Sequence, residues 1–152
     1  MVNNNLSLRL LNGTNPTLVS NSVLLLRLTL GILLFVAGSG KILGWFGGYG
    51  MEATLQGYAK MGFSAPLACL SMFTELLGGL LLVTGLLTRP VALAVMINML
   101  VATIVSLPGG FMGPTGAQTP FIFLMMDIAI FLAGPMAYSL DTFIFRNSSH
   151  QE

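Results

Sequence analysis

The fold is decided by residues 66–87, which read PLACLSMFTELLGGLLLVTGLL. The stretch carries one charged side chain, Glu75, and an α-helix of this length is long enough to cross the roughly 30 Å hydrocarbon core of a bilayer. Comparable apolar runs occupy residues 22–43, 90–107 and 120–138. The sequence therefore predicts an all-α polytopic membrane protein, a bundle of four transmembrane helices.

Composition supports this class and excludes several others. Only 7% of the residues are charged and 55% are hydrophobic, too few charges for a soluble domain of 152 residues. The single cysteine, Cys69, and the single histidine, His150, exclude an internal disulfide, a Cys-only metal site, an iron–sulfur cluster and a bis-histidine haem within one copy. We expect no metal and no haem from this chain alone. A net charge of +1 without a basic run argues against nucleic acid as a partner.

The chain divides into a polar tail at residues 1–21, a membrane domain at 22–141 and a second polar tail at 142–152. A signal peptide is the competing interpretation of the N-terminus, but the apolar run that follows is too long for one. We expect Ser22, Ser64, Thr88 and Thr119 to cap the four helices, because Ser and Thr accept hydrogen bonds from free backbone N–H groups.

The segment between the first two spans predicts a short helix lying at the membrane interface. Met51, Leu55, Tyr58 and Met61 recur there at helical spacing, and aromatic residues such as Trp45 suit the headgroup region. Between the second and third spans, the short connection at residues 88–90 predicts antiparallel neighbours.

The placement of Lys and Arg predicts an orientation. Arg9, Arg89 and Arg146 would lie on one side of the membrane, and Lys41 and Lys60 on the other. Because positive charge is enriched on the cytoplasmic side, this bias places both termini in the cytoplasm.

Glu75 is the strongest candidate for a functional residue. It lies near the middle of the second span, where a short side chain cannot reach the headgroups. It forms either a buried salt bridge, a protonated structural carboxyl, or a group that handles a ligand or a proton.

Three further polar residues are expected to lie near Glu75. Under the predicted topology, Lys41 and Asp127 fall in the same outer half of the bundle, and Asn98 lies mid-span in the third helix. Two carboxyl groups and an ammonium at similar depth predict a polar pocket, and two close carboxyls favour sharing a proton. Lys41 has the alternative role of an interface anchor, and Asn98 that of a bond to another helix.

Arg27 has two interpretations. About five residues into the first span, it either extends to the cytoplasmic headgroups or lies buried against a carboxylate or an anionic ligand. Gly31 and Gly38 share its face, which favours the interior.

The sequence resembles the DoxX family in an ordered set of segments that covers nearly all of the chain beyond the first twenty residues. These segments are residues 25–28, 37–41, 44–46, 61–66, 75–82, 85–89, 97–102, 133–135 and 138–141. Met136-Ala137 departs from the Gly-Arg that the family pattern would place there. The family's polar positions fall on Arg27, Lys41, Glu75, Asn98 and Asp141.

The resemblance implies a four-helix protein of a bacterial or archaeal plasma (inner) membrane. Its members are linked to sulfur-compound oxidation as a thiosulfate:quinone oxidoreductase or quinol oxidase subunit, and to redox-stress complexes. The expected cofactor is a quinone, and the expected partners are the lipid bilayer and either further copies of the chain or a redox subunit.

Two functional classes remain open. In the first, a redox subunit binds quinone, with Glu75 and Asp127 as catalytic residues and Arg27, Lys41, Trp45 and Asn98 as binding residues. In the second, the chain is a non-enzymatic scaffold or assembly subunit, or a small carrier, whose polar residues hold the helices together. A quinone retained after gentle extraction would favour the first class.

Overall fold

The computed structural model describes residues 15–113, 116–136 and 138–148, with side chains as far as residue 144. Most of the N-terminal tail lies outside the described part, including Arg9. The end of the C-terminal tail with His150, the side chain of Arg146, and Ala137 also lie outside it. The described part is mainly helical and contains no strand. Its α-helices are α1 (Pro16–Leu43), α2 (Gly50–Lys60), α3 (Ala65–Thr84), α4 (Thr88–Ser106), α5 (Gln118–Ala133) and α6 (Leu140–Ser148). Two short 3₁₀ turns follow α1 and α4, at Trp45–Gly47 and Leu107–Gly109.

Three helical segments are long and apolar enough to cross a membrane, namely Pro16–Leu43, Ala65–Thr84 and Thr88–Gly109. The fourth, α5, is equally apolar but has only 16 residues, about 24 Å of helix. The expected all-helical membrane fold is confirmed, with three long apolar helices and a shorter one.

The predicted start of the first span at Ser22 is wrong. The helix begins at Pro16, and the side chain of Asn15 accepts a hydrogen bond from the backbone N–H of Thr17 at 3.0 Å. Proline suits the first turn of a helix because its missing N–H would have no partner there. The α1 helix is therefore about 42 Å long, and its first turns extend the spanning segment into the predicted tail.

The other helix starts also differ in detail from the prediction. Ser64 stands at the N-cap of α3, but its side chain makes no capping bond. Thr88 is the first residue of α4 rather than its cap, and α5 begins at Gln118, one residue before Thr119.

The predicted end of the fourth span at Tyr138 is wrong as well. The α5 helix ends at Ala133, because Gly134 at φ +76° leaves the helical conformation and Pro135 follows. Non-helical backbone within a membrane protein needs protein partners for its polar groups. The residues after α5 find such partners, as described below.

Close packing of α1 on α3 sets the frame of the bundle. A Cβ atom at Gly79 would lie 2.6 Å from the carbonyl oxygen of Gly31, and one at Gly38 would lie 2.5 Å from the backbone nitrogen of Leu76. Glycine at these positions lets the two backbones touch, as is common between membrane helices. On the other side, α5 packs mainly on α4, and a core that includes Leu30, Leu34, Leu82, Val95, Met99 and Ile130 fills the centre.

The predicted short helix between the first two spans is present as α2. It packs near the end of the bundle where α1 ends and α3 begins, which we call the α2 end. The C-terminal helix α6 lies at the opposite end, which we call the α6 end, and Asp141 in its first turn bonds to the connection between α3 and α4.

Candidate functional site

A cleft of about 970 Å³ opens between α3 and α4 in the half of the bundle nearer the α2 end. Helices α1 and α5 contribute to its walls, α2 covers it, and most of its lining is apolar. Its polar lining includes Lys41, Tyr58, Ser71, Glu75 and Asn98. A largely apolar cavity with a few convergent polar groups is the usual form of a small-molecule site.

Lys41 and Glu75 form an ion pair in this cleft. The Lys41 Nζ lies 2.6 Å from both Oε1 and Oε2 of Glu75. The glutamate side chain is 5% exposed and that of the lysine is 33% exposed, so the lysine is the less buried member of the pair. Of the three alternatives left open for Glu75, the structure shows the buried salt bridge. The ion pair also lines a cavity.

The ion pair follows from the close approach of α1 and α3. Gly38 lies against Leu76, which directly follows Glu75 in α3. Lys41 comes three residues after Gly38, nearly one helical turn, and so lies on the same side of α1. Because no side chain separates the two backbones at Gly38, the lysine reaches the carboxylate without leaving the wall of the cleft.

Two further polar contacts line the cleft. The hydroxyl groups of Tyr58 and Ser71 are 3.0 Å apart and join α2 to α3, and the Tyr58 hydroxyl also lies within interaction range of Lys41. The amide Nδ2 of Asn98 lies 3.5 Å from the carbonyl oxygen of Ser71, a long hydrogen bond. Asn98 therefore keeps donor capacity that a bound molecule could use. Sequence reasoning missed Ser71 and placed Tyr58 in the headgroup region, although the helical spacing of α2 could have directed Tyr58 inward.

The cleft is closed towards the middle of the bundle. A Cβ atom at Gly78 would lie 2.8 Å from the Cγ2 atom of Val95, so α3 and α4 are in contact at that level. Glu75 lies one turn from this contact on the cleft side. The ion pair is thus near the closed end of the cleft.

Arg27 lies elsewhere in the molecule, at the α6 end. It is 1% exposed, and its Nη1 and Nη2 atoms donate hydrogen bonds of 2.8 Å to the carbonyl oxygens of Pro135 and Tyr138. Arg27 is therefore buried, as the interior interpretation had it. Its partners are backbone carbonyls of the segment after α5, however, and it does not line the cleft.

Asp141 is the carboxylate of the α6 end. It accepts hydrogen bonds from the backbone N–H groups of Leu87 at 2.7 Å and Thr88 at 2.8 Å, and so caps the start of α4. It also lies close enough to Arg27 for an electrostatic attraction. Sequence reasoning marked Asp141 as a polar family position but gave it no role, because its partners are backbone groups more than fifty residues away.

Asp127 belongs neither to the polar residues of the cleft nor to the charged residues of the α6 end. It is fully buried in α5, it does not line the cleft, and neither of its carboxylate oxygens has a hydrogen-bond partner among the described residues. The structure therefore brings together Lys41, Glu75 and Asn98 of the predicted pocket, but not Asp127.

Trp45 does not line the cleft either. It is 54% exposed in the turn after α1, where its ring packs edge-on against Phe46 with centroids 6.5 Å apart. Tyr49, just before α2, lines the cleft from this side instead. Among the described residues, no three His, Cys, Asp or Glu side chains form a group that could hold a metal ion.

Comparison with known proteins gives two matches. A sequence model described as DoxX matches residues 22–108, which include Arg27, Lys41, Glu75 and Asn98 and end before Asp127 and Asp141. A Bacillus subtilis (strain 168) protein named "Putative oxidoreductase CatD" is 34% identical over 128 residues, covering 84% of this chain and 90% of that protein. No solved structure matches the chain at a significant level.

Proposed function

This chain belongs to the DoxX family, and we propose that it acts as the integral membrane subunit of a redox complex and binds a quinone in the cleft between α3 and α4. The CatD relative is named as an oxidoreductase, which supports redox chemistry as the setting. Sulfur-compound oxidation or a response to redox stress would be the process served, in the plasma (inner) membrane with both termini in the cytoplasm.

The observation that carries the proposal is an ion pair near the closed end of a mostly apolar cleft. A quinone has a flat apolar ring with oxygens on opposite edges, and it needs an apolar slot with hydrogen-bond donors at its end. The ammonium of Lys41, whose side chain is one-third exposed, is held by Glu75 and is such a donor. The Asn98 amide, only weakly bonded, is a second one on the facing helix.

Each polar residue of the cleft has a role in this proposal. Lys41 donates a hydrogen bond to one ring oxygen, and Glu75 fixes the ammonium and exchanges a proton with the bound molecule. Tyr58 keeps α2 closed over the cleft through its bond to Ser71. A quinone takes up two electrons and two protons on reduction. With one cysteine and one histidine in the chain, those electrons come from a partner subunit or directly from the oxidised substrate.

Quinone binding by Lys41 and Glu75 variants tests the proposal. The purified protein in lipid nanodiscs is titrated with a quinone, and Lys41→Gln and Glu75→Gln are compared with Glu52→Gln, which removes an exposed carboxylate from α2. Loss of a charge-assisted hydrogen bond should weaken affinity about tenfold or more in the Lys41 and Glu75 variants. The Glu52 variant should bind as the wild type does.

The outcome separates the two functional classes. If the wild type binds no quinone, or if Lys41→Gln and Glu75→Gln bind it unchanged while folded, the quinone proposal is wrong. The ion pair would then serve to join α1 to α3, as expected of a scaffold or assembly subunit. Thermal unfolding of each variant, measured on the same samples, shows whether a loss of binding reflects the site or the fold.

A further inference from the structure

The cleft opens sideways through the wall of the bundle. Among the exposed residues that line it, five lie on these two helices: Leu67 and Leu70 on α3, and Ala94, Ile97 and Val101 on α4. All five are apolar. We call this opening the α3–α4 gap.

The position of the gap along the helices places it against the hydrocarbon of the membrane. Leu70 lies about 8 Å from the start of α3, and Ile97 about 14 Å from the end of α4, at 1.5 Å per residue. Both helices belong to segments long and apolar enough to cross a bilayer. Exposed apolar residues at that depth face lipid tails rather than water.

The polarity of the cleft changes from the gap inwards. The rim of the gap is apolar, whereas Lys41, Glu75 and Asn98 lie in the interior. A molecule that spans both regions would hold its polar head near the ion pair and an apolar tail at the rim. The volume of about 970 Å³ lies at the upper end of the range for small-molecule sites, which leaves room for part of a tail beside a ring.

We infer that the ligand of this cleft is a membrane-dissolved amphiphile that enters sideways through the α3–α4 gap and leaves its apolar tail there. The inference rests on the proposed function, because it specifies which quinones bind: those that carry a long hydrocarbon tail. It also specifies the route, from the bilayer interior rather than from the aqueous phase.

A second route into the cleft, beneath α2, is the competing outcome. The cleft also reaches the α2 helix, where Gly57 lines it and a Cβ atom at that position would meet nothing within 4 Å. A ligand from the aqueous side would pass beneath α2 at Gly57. The two routes can be blocked independently, because Gly57 and the α3–α4 gap lie on different helices.

The experiment narrows each route with a phenylalanine and uses neighbouring residues as matched controls. Ala94→Phe and Val101→Phe obstruct the gap. Leu93→Phe and Leu100→Phe place the same ring on the preceding residue of each pair, and these two residues are exposed but do not line the cleft. Gly57→Phe obstructs the α2 route. The probes are a naphthoquinone with a polyprenyl tail and the same ring with a methyl group only. Both are titrated in nanodiscs with their concentration expressed as mole fraction in lipid. The affinity reports the seat of the tail, and the association rate, measured after rapid mixing, reports the route of entry.

The wild type should bind the tailed probe more tightly than the methyl probe. Ala94→Phe and Val101→Phe should weaken binding of the tailed probe about tenfold or more and should slow its association. The affinity for the methyl probe should change by less than about twofold. The Leu93 and Leu100 variants should bind both probes as the wild type does, and Gly57→Phe should leave the association rate of the tailed probe unchanged. Unchanged thermal unfolding confirms that the added rings leave the fold intact.

Three results would overturn the inference. Equal wild-type affinity for both probes, or equal weakening of both by the gap variants, would show that the gap holds no tail, while quinone binding itself would stand. Slower association of the tailed probe with Gly57→Phe, without any change in that rate for Val101→Phe, would place entry beneath α2. A wild type that binds neither probe would remove the proposed function together with this inference.

Discussion

The two ends of the bundle use their buried charges differently. At the α6 end, Arg27 donates to the carbonyls of Pro135 and Tyr138, and Asp141 accepts from the N–H groups of Leu87 and Thr88. Near the α2 end, Lys41 and Glu75 bond to each other and line a cleft. The charges of the α6 end bind the protein's own backbone, whereas those near the α2 end bind each other in the lining of the cleft, where the Lys41 side chain is one-third exposed.

This difference assigns roles that the residue types alone do not. Arg27 and Lys41 lie on one helix, each beside a glycine-containing face, and both were candidates for ligand binding. The segment after α5 leaves the helical conformation and presents carbonyl groups that need donors within the protein. Arg27 supplies these donors and therefore stabilises the fold, whereas Lys41 lines the cleft and can bind a ligand.

The strongest test of the comparison is Arg27→Met. Without the guanidinium, two carbonyls of the segment after α5 lose their donors in a buried region, and we expect the free energy of unfolding to fall by about 3 kcal/mol. Quinone affinity per folded molecule should remain that of the wild type. Reversible unfolding in detergent micelles and titration in nanodiscs measure the two effects.

Arg89→Met is the matched control, because it removes the same charge from an exposed position at the same end. Its effect on the free energy of unfolding should stay within about 0.5 kcal/mol. If Arg27→Met unfolds as the wild type does but loses quinone affinity, Arg27 belongs to the binding site and the contrast between the two ends fails.

A smaller effect is expected for Asp141. Asp141→Ala removes both acceptors that cap α4 and should lower the free energy of unfolding by about 2 kcal/mol. Asp141→Asn keeps one acceptor oxygen and should lose roughly half as much. Chemical or thermal unfolding ranks the three proteins, and equal stability of the Ala variant and the wild type would show that the cap contributes little.

The sequence predicted the helical membrane fold well and its helix ends less well. Apolar runs of this length identify the spans, but the ends depend on local chemistry that was overlooked. Asn15-Pro16 joins a capping side chain to a proline in the first turn of the helix, and Gly134-Pro135 marks the end of α5. Both signals were readable in the sequence.

The site was predictable only in part, for a physical reason. Lys41 and Glu75 could be placed in one polar pocket from depth and charge, because ionisable side chains within the hydrocarbon layer face the interior and pair there. Depth and charge did not decide whether Arg27, Lys41 or Asn98 is the nearest partner of Glu75. The partners of Arg27 and Asp141 are backbone groups brought close by tertiary packing, and every residue carries such groups. No pattern of side chains distinguishes the carbonyl of Pro135 from any other.

Asp127 belongs to neither end and gives the smallest expected effect. Both of its oxygens are buried without a partner among the described residues. An unpaired carboxylate is very costly in such a place, so we expect the folded protein to hold the neutral acid. Asp127→Asn has nearly the same size and is also neutral, so it should change the free energy of unfolding by less than about 1 kcal/mol.

Two measurements on Asp127→Asn decide its place in the comparison. Infrared spectroscopy should show a protonated-carboxyl band in the wild type that disappears in the variant, since no other change in the variant removes a carboxyl. Quinone affinity should be unchanged, because Asp127 does not line the cleft. If affinity is kept but quinone reduction by the assembled complex is lost, Asp127 carries protons to the cleft, as the sequence prediction of a catalytic role requires. A large loss of stability would instead show that the carboxyl has a charged partner in the folded protein.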